Sequence, residues 1–276
     1  MELYNSLELT EPDPSSSNAD TPTCPFYRLQ FNAKGFSLQA LAEFRRSLGP
    51  VVRALKPTFA NENLDAAALL FGHPQKEAEK ESGGGVYPLT QFQLTDIGPR
   101  IVGFGTAAPA VQLVATALKE QIGDVKFNLP INVDRTDIDL QKAIFKSSEE
   151  DIFYTLRNWA ALSGYEYKKF TDTRIDLGSR VGILQRCLDR QLGAMIARLY
   201  TPELVRQMPQ ARLHYLSKMH KVPLPVRGDS AAMGRYDQAI AFDITFSIPI
   251  LLPPHAGIGR AVAHGLGQFH RRTRHD

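Results

Sequence analysis

Hydrophobic and polar residues alternate most strictly toward the end of the chain. Ile240, Phe242, Ile244, Phe246, Ile248 and Ile250 occupy every second position, with Asp243, Thr245 and Ser247 between them. A period of two places all six on one side of a long strand with a single buried face. Near the start, Tyr27, Leu29 and Phe31 alternate with Arg28 and Gln30 in the same way. Ser37 then suits the cap of a helix carrying Leu38, Leu41, Phe44 and Leu48, and Gly49-Pro50 either ends that helix or starts a second one. Val86–Leu94 and Arg100–Gly105 read as paired strands, Pro109–Ile122 as a helix and Val125–Val133 as another strand. The first half is thus predicted as strand–helix–strand–strand–helix–strand, the order of a ferredoxin-like unit. In the middle, Ile144, Phe145, Ile152, Leu156 and Trp159 suggest a helix over 142–162. In Arg180–Tyr200, Leu184, Leu188, Leu192, Met195, Ile196 and Leu199 recur at helical spacing, opposite Arg180, Arg186, Arg190 and Arg198. Thr201-Pro202 suits the start of one more helix.

Between these elements, residues 1–24 are acidic and rich in Pro and Ser, which predicts a disordered tail. Residues 72–85 read as a polar loop ending in three glycines. At 276 residues and 43% hydrophobic content, the chain suffices for one large or two small domains. It shows no apolar run of membrane-spanning length and no signal-peptide pattern at its start, so no membrane association is expected. Cys24 and Cys187 stand far apart and form neither a disulfide framework nor a metal motif, which fits the cytoplasm. The net charge of +3 conceals an asymmetry: residues 180–276 carry 14 Lys/Arg against 6 Asp/Glu, and 6 of the 7 histidines. Such clustering marks either a polyanion site or a solvated basic face.

The late strand runs through Pro253-Pro254 into Gly257-Ile-Gly-Arg-Ala-Val-Ala-His-Gly-Leu-Gly-Gln-Phe269. Glycine permits close backbone approach and positive φ, and runs of backbone N–H groups bind anions. No Walker motif occurs anywhere. Gly257 and Gly259 are followed by Val262 rather than a third glycine, and no acidic residue lies about twenty positions on, so ATP and dinucleotide sites are excluded. A purely structural turn stays open beside an anion site. The segment, with its preceding strand, resembles the C-terminal signature of the repeat-associated RNA-binding (RAMP) superfamily of CRISPR systems. More narrowly it resembles the CRISPR repeat-processing endoribonucleases. The likeness is close over roughly residues 239–270.

This resemblance implies an α+β chain of two ferredoxin-like (RRM-like) modules, at 25–122 and 123–276. The second would carry a helical insertion around 140–210 and the C-terminal Gly-rich loop. It also implies metal-independent cleavage of CRISPR precursor RNA, with no cofactor, and retention of the repeat stem-loop among other effector subunits. In such cleavage a ribose 2′-OH attacks the adjacent phosphorus. Histidine suits the proton transfers, and Arg or Lys the developing charge. Residues 26–56 lack the histidine that many relatives place on or beside the first helix. Arg28, Arg45 and Arg46 stand there instead, an arginine-rich pattern that resembles the type IV branch.

The candidate catalytic residues are therefore Arg28, Arg45, Arg46, Arg260 and His264, with His255 as a second proton-transfer candidate. Candidate RNA contacts are Gly257, Gly259, Gly265 and Gly267, the Arg180/Arg186/Arg190/Arg198 face, and Arg271 and Arg272. No histidine pair has a zinc spacing, so no metal site is expected. Phe153, Tyr154, Trp159, Tyr165 and Tyr167 could stack on bases or fill a core. The rival readings are a non-catalytic RAMP-type RNA-binding subunit and a protein-interaction scaffold.

Overall fold

Two antiparallel four-stranded sheets organise the chain. The computed structural model describes residues 21–33, 35–54, 66–71, 87–120, 136–225 and 236–272. The first sheet holds β1 (Thr23–Phe31), β2 (Thr90–Leu94), β3 (Pro99–Phe104) and β4 (Thr136–Ile144), in the order β2-β3-β1-β4. The second holds β5 (Lys146–Trp159), β6 (Arg212–Pro225), β7 (Tyr236–Leu251) and β8 (Gln268–Arg271), in the order β6-β7-β5-β8. Numbered within each module, both orders read 4-1-3-2 from one edge. This is an α+β fold of two ferredoxin-like modules.

In the first module, α1 (Leu38–Ala54), α2 (Ala66–Phe71) and α3 (Ala108–Glu120) accompany the sheet. Ser37 Oγ accepts the Ala40 N–H at 3.1 Å, so α1 starts at the expected cap. It runs on through Pro50, which lies inside the helix. Leu41, Phe44 and Leu48 pack against Tyr27, Leu29 and Phe31, the apolar face of β1. The opposite face presents Cys24 and Phe26, followed by Arg28 and Gln30. With Val102 and Phe104 of β3, Cys24 and Phe26 join a core that continues into the second module.

That core is built on β7. Phe242, Ile244, Phe246, Ile248 and Ile250 are all fully buried, as their alternation predicts. Each contributes about 1.5–3 kcal/mol of hydrophobic stabilisation. They meet Ile183, Leu184, Leu188, Leu192 and Ile196 of α5 (Leu177–Leu199). Asp176 caps α5 by accepting from Ser179 N–H. Before it, α4 (Gly164–Thr171) carries a capping box between Ser163 and Glu166. After it, α6 (Pro202–Gln207) has Pro202 in its first turn, although Thr201 makes no side-chain cap bond.

The structure corrects two expectations. The segment 142–162, expected as helix, is the end of β4 and the whole of β5. Its buried residues mimic helical spacing because the register against β7 shifts between Leu156 and Trp159, which turns a spacing of two into three. The helices of the second module accordingly begin at Gly164. The module boundary moves as well. The strand expected at 125–133 lies outside the described residues, and the first sheet is completed by β4, paired with β1 across 136–144. The polar loop at 72–85 and residues 1–20 of the expected tail also lie outside the described residues, whereas Thr23 and Cys24 belong to β1. Among the described residues, no helix is long and apolar enough to cross a membrane.

Candidate active site

In the second module the connection from β7 to β8 is the glycine segment itself, where a ferredoxin-like unit would place its second helix. Its conformation is set by close packing. Gly267 has φ +67°, and a Cβ there would lie 1.8 Å from the Ile258 carbonyl oxygen. A Cβ on Gly265 would meet Leu41 of α1 at 2.6 Å. Gly257 and Gly259 are equally tight, against the Gly267 carbonyl and the Trp159 ring. The backbone is bonded inward: Ile258 N–H donates to Gly267 O at 2.7 Å, Arg260 N–H to Ala160 O at 2.9 Å and Gly267 N–H to Asn158 O at 3.1 Å. His264 and Gly265 N–H close a single 3-10 turn over Val262–His264. A backbone phosphate cradle was the sequence expectation for these glycines. The structure shows close packing of these glycines against their own chain, with the N–H groups of Gly265 and Gly267 bonded within the protein.

What this packing achieves is the placement of side chains. The loop straddles β2, the outer strand of the first sheet. On the helix side, His264 meets Arg45 of α1, 219 residues away in sequence, with Arg45 Nη1 2.9 Å from Nε2 and 3.0 Å from Nδ1. Whichever ring nitrogen is unprotonated accepts the bond. Arg45 is held from its other sides as well: Nη2 donates to the Phe71 carbonyl, and the guanidinium lies over the Phe71 and Phe92 rings at 5.8 and 5.4 Å. Burial brings its pKa down to about 10. Burial first, and the Arg45 charge second, bring His264 down to about 3, so it is a neutral imidazole near neutral pH.

On the other side of the same sheet lies a second basic group around His255, in which sequence reasoning missed Arg100. Arg100 of β3 donates from Nε to Gln30 Oε1 at 2.8 Å, and its Nη1 lies 2.9 Å from His255 Nδ1. Gln93 anchors this end of the loop through the His255 carbonyl. Burial and the neighbouring Arg28 lower Arg100 to about 10. Burial, then Arg100, Arg28 and His270, lower His255 to about 4. Desolvation, then Arg157 and Arg100, also depress His270 of β8, against an opposing pull from Asp96. Strand parity was the available signal for Arg100: its cross-strand partner is Gln30, next to Arg28 on the polar stripe of β1.

The expected site residues are therefore brought together only in part. Arg45 and His264 meet. Arg28 lies on the opposite face of the first sheet, so its expected convergence with Arg45 and Arg46 is not seen. Arg46 is exposed on α1 and bonds the Ala42 carbonyl of its own helix at 3.4 Å. Arg260 reaches back to the Leu162 carbonyl at 3.1 Å. On α5, Arg190 is paired with Glu166 at 2.6 Å and Arg180 with the Asp172 carbonyl at 3.1 Å, while Arg186 and Arg198 are exposed. Arg271 and Arg272 are exposed at the end of β8. Of the aromatic group, Tyr154 and Trp159 are core, while Phe153, Tyr165 and Tyr167 are exposed.

The fold of two ferredoxin-like modules is shared with known structures. The chain is similar over 91% of its length to Cas6b, a CRISPR RNA processing endoribonuclease. The match spans 100% of that chain, at 17% identity and a TM-score of 0.56. A second Cas6b structure matches over the same shares at 18% identity and a TM-score of 0.59. Csf5, a CRISPR-Cas type IV Cas6 crRNA endonuclease, matches over the same shares at 13% identity and a TM-score of 0.50. No family model and no curated protein matches the sequence.

Proposed function

We propose that this protein is a metal-independent endoribonuclease that cuts CRISPR precursor RNA within the repeat. It then keeps the repeat stem-loop as part of an effector complex. The observation that carries this reading is the Arg45–His264 pair. It is assembled from the first helix and the glycine loop, within a fold shared with Cas6b and Csf5.

The chemistry follows from the pair. The ribose 2′-oxygen attacks the adjacent phosphorus as His264 takes its proton, and the bond from phosphorus to the 5′-oxygen breaks. A proton is delivered to that oxygen, leaving a 2′,3′-cyclic phosphate and a 5′-hydroxyl. Arg45 offsets charge developing on the phosphate. A phosphate beside Arg45 offsets the smaller of the two causes that depress His264, the cation, and so raises its pKa while burial still holds it down. DNA has no 2′-OH and does not react.

One observation favours the binding-only alternative, a RAMP-type subunit that holds RNA without cutting it. An imidazole held at about 3 is a weak base until a substrate relieves it. A single-turnover assay of the wild-type chain separates the two readings, since the first requires a cut in repeat RNA and the second binding without one. Substitution then tests the role of His264. His264→Ala is expected to slow cleavage of repeat RNA about a hundredfold or more while leaving RNA affinity within about threefold. An unchanged single-turnover rate removes His264 from the site.

A further inference from the structure

The outer face of the second sheet, turned away from α4–α6, carries a strip of rings. Phe153 of β5 stands directly opposite Ser247 of β7. On β6 the register shifts between Leu213 and Tyr215, and this irregularity turns both His214 and Tyr215 outward. The His214 ring lies 5.1 Å from Phe153, tilted by 33°, and 6.5 Å from Tyr215. Phe153 is 43% and Tyr215 68% exposed, so two of the three rings offer free faces.

The middle ring is fixed in place. Ser247, which is fully buried, donates to Asp151 at 2.8 Å and so has its oxygen free to accept from His214 Nε2, also at 2.8 Å. Positive charge borders the strip. Arg157 is two positions further along the same face of β5 than Thr155, and Arg212 of β6, the partner of Ser247, lies 3.9 Å from Asp151. Rings with free faces, bordered by cations, match a single strand of nucleic acid, whose bases stack while its phosphates follow the charge.

We infer that Phe153, His214 and Tyr215 form a stacking platform for a single-stranded stretch of RNA flanking the bound stem-loop. This rests on the RNA-processing reading above and adds a second contact region to it.

The test is affinity for a hairpin RNA in three forms: blunt, with a single-stranded oligouridine tail on either end, and with a tail of equal length built of abasic ribose phosphates. The uridine tail on one end is expected to tighten wild-type binding at least about fivefold, and the abasic tail to add much less. Tyr215→Ala and Phe153→Ala should each remove the gain and leave blunt-hairpin affinity and the melting temperature unchanged. Tyr215→Phe should retain it. If the blunt hairpin binds but neither tail helps, or both alanine variants keep the gain, the platform is overturned and RNA binding stands. If no RNA binds at all, both readings fall.

Discussion

Arg45 and His264 show how a residue's chemistry depends on its setting. Free histidine titrates near 6.5, whereas His264 is held at about 3 and His255 at about 4. Both folded values lie below the unfolded one, so the unfolded chain binds protons first as the pH falls. Stability from these two residues is complete above about pH 6.5 and is lost below it, down to about pH 4 for His255 and about pH 3 for His264. Each adds a slope of up to about 1.4 kcal/mol per pH unit. Denaturant melts across this range should show the loss, and His264→Gln should flatten it. A midpoint that does not change from pH 7.5 to 5 contradicts these environments. Glycine is tested in the same way. Gly267→Ala combines a positive φ with a collision against the Ile258 carbonyl, and should cost more than about 2 kcal/mol in a thermal or denaturant melt. The glycines were legible in the sequence, and their close packing against the chain matches the structural turn that stayed open beside an anion site. Composition cannot separate a loop that needs close approach to a ligand from one that needs close approach to its own chain.

At the scale of elements, amphipathic segments with a single period were read well. The alternation of β7, the apolar stripe of α5 and the Ser37 cap of α1 all stand in the structure. β5 was misread because register shifts break its period of two, and local propensity could not reveal the two strands that hold it. The arginine face of α5 was legible as charge but not as bonding, since Glu166 and Asp172 come from a neighbouring element and turn. The four arginines should therefore behave differently. Arg186→Glu and Arg198→Glu should weaken RNA binding and each lower the salt slope of affinity by about one. Arg190→Ala should act mainly on stability, by less than about 1 kcal/mol, through its exposed ion pair to α4. Affinity titrations at several salt concentrations, with thermal melts alongside, distinguish the two outcomes.

Across the whole molecule, the decisive arrangement is the loop lying over the outer strand of the first sheet, with one histidine on each side. It joins residues 219 apart at Arg45–His264 and 155 apart at Arg100–His255. Patterns along a chain report neighbours within an element. They do not report which face of one module meets the other, and for that reason Arg45 and His264 were legible as candidates but not as a pair. Arg28 shows the converse. It belongs to the same sequence cluster as Arg45, yet strand parity sends it to the far side of the sheet. The central claim is that this junction cuts RNA by internal attack. The most direct measurement is incubation of the full chain with cognate repeat RNA in EDTA, using an all-ribose substrate and one with a single 2′-deoxy nucleotide at the scissile position. The account predicts a single cut in the first, ending in a 2′,3′-cyclic phosphate and a 5′-hydroxyl, and none in the second, with both bound equally. Binding without cleavage of the all-ribose RNA, or cleavage of the deoxy-substituted one, contradicts it.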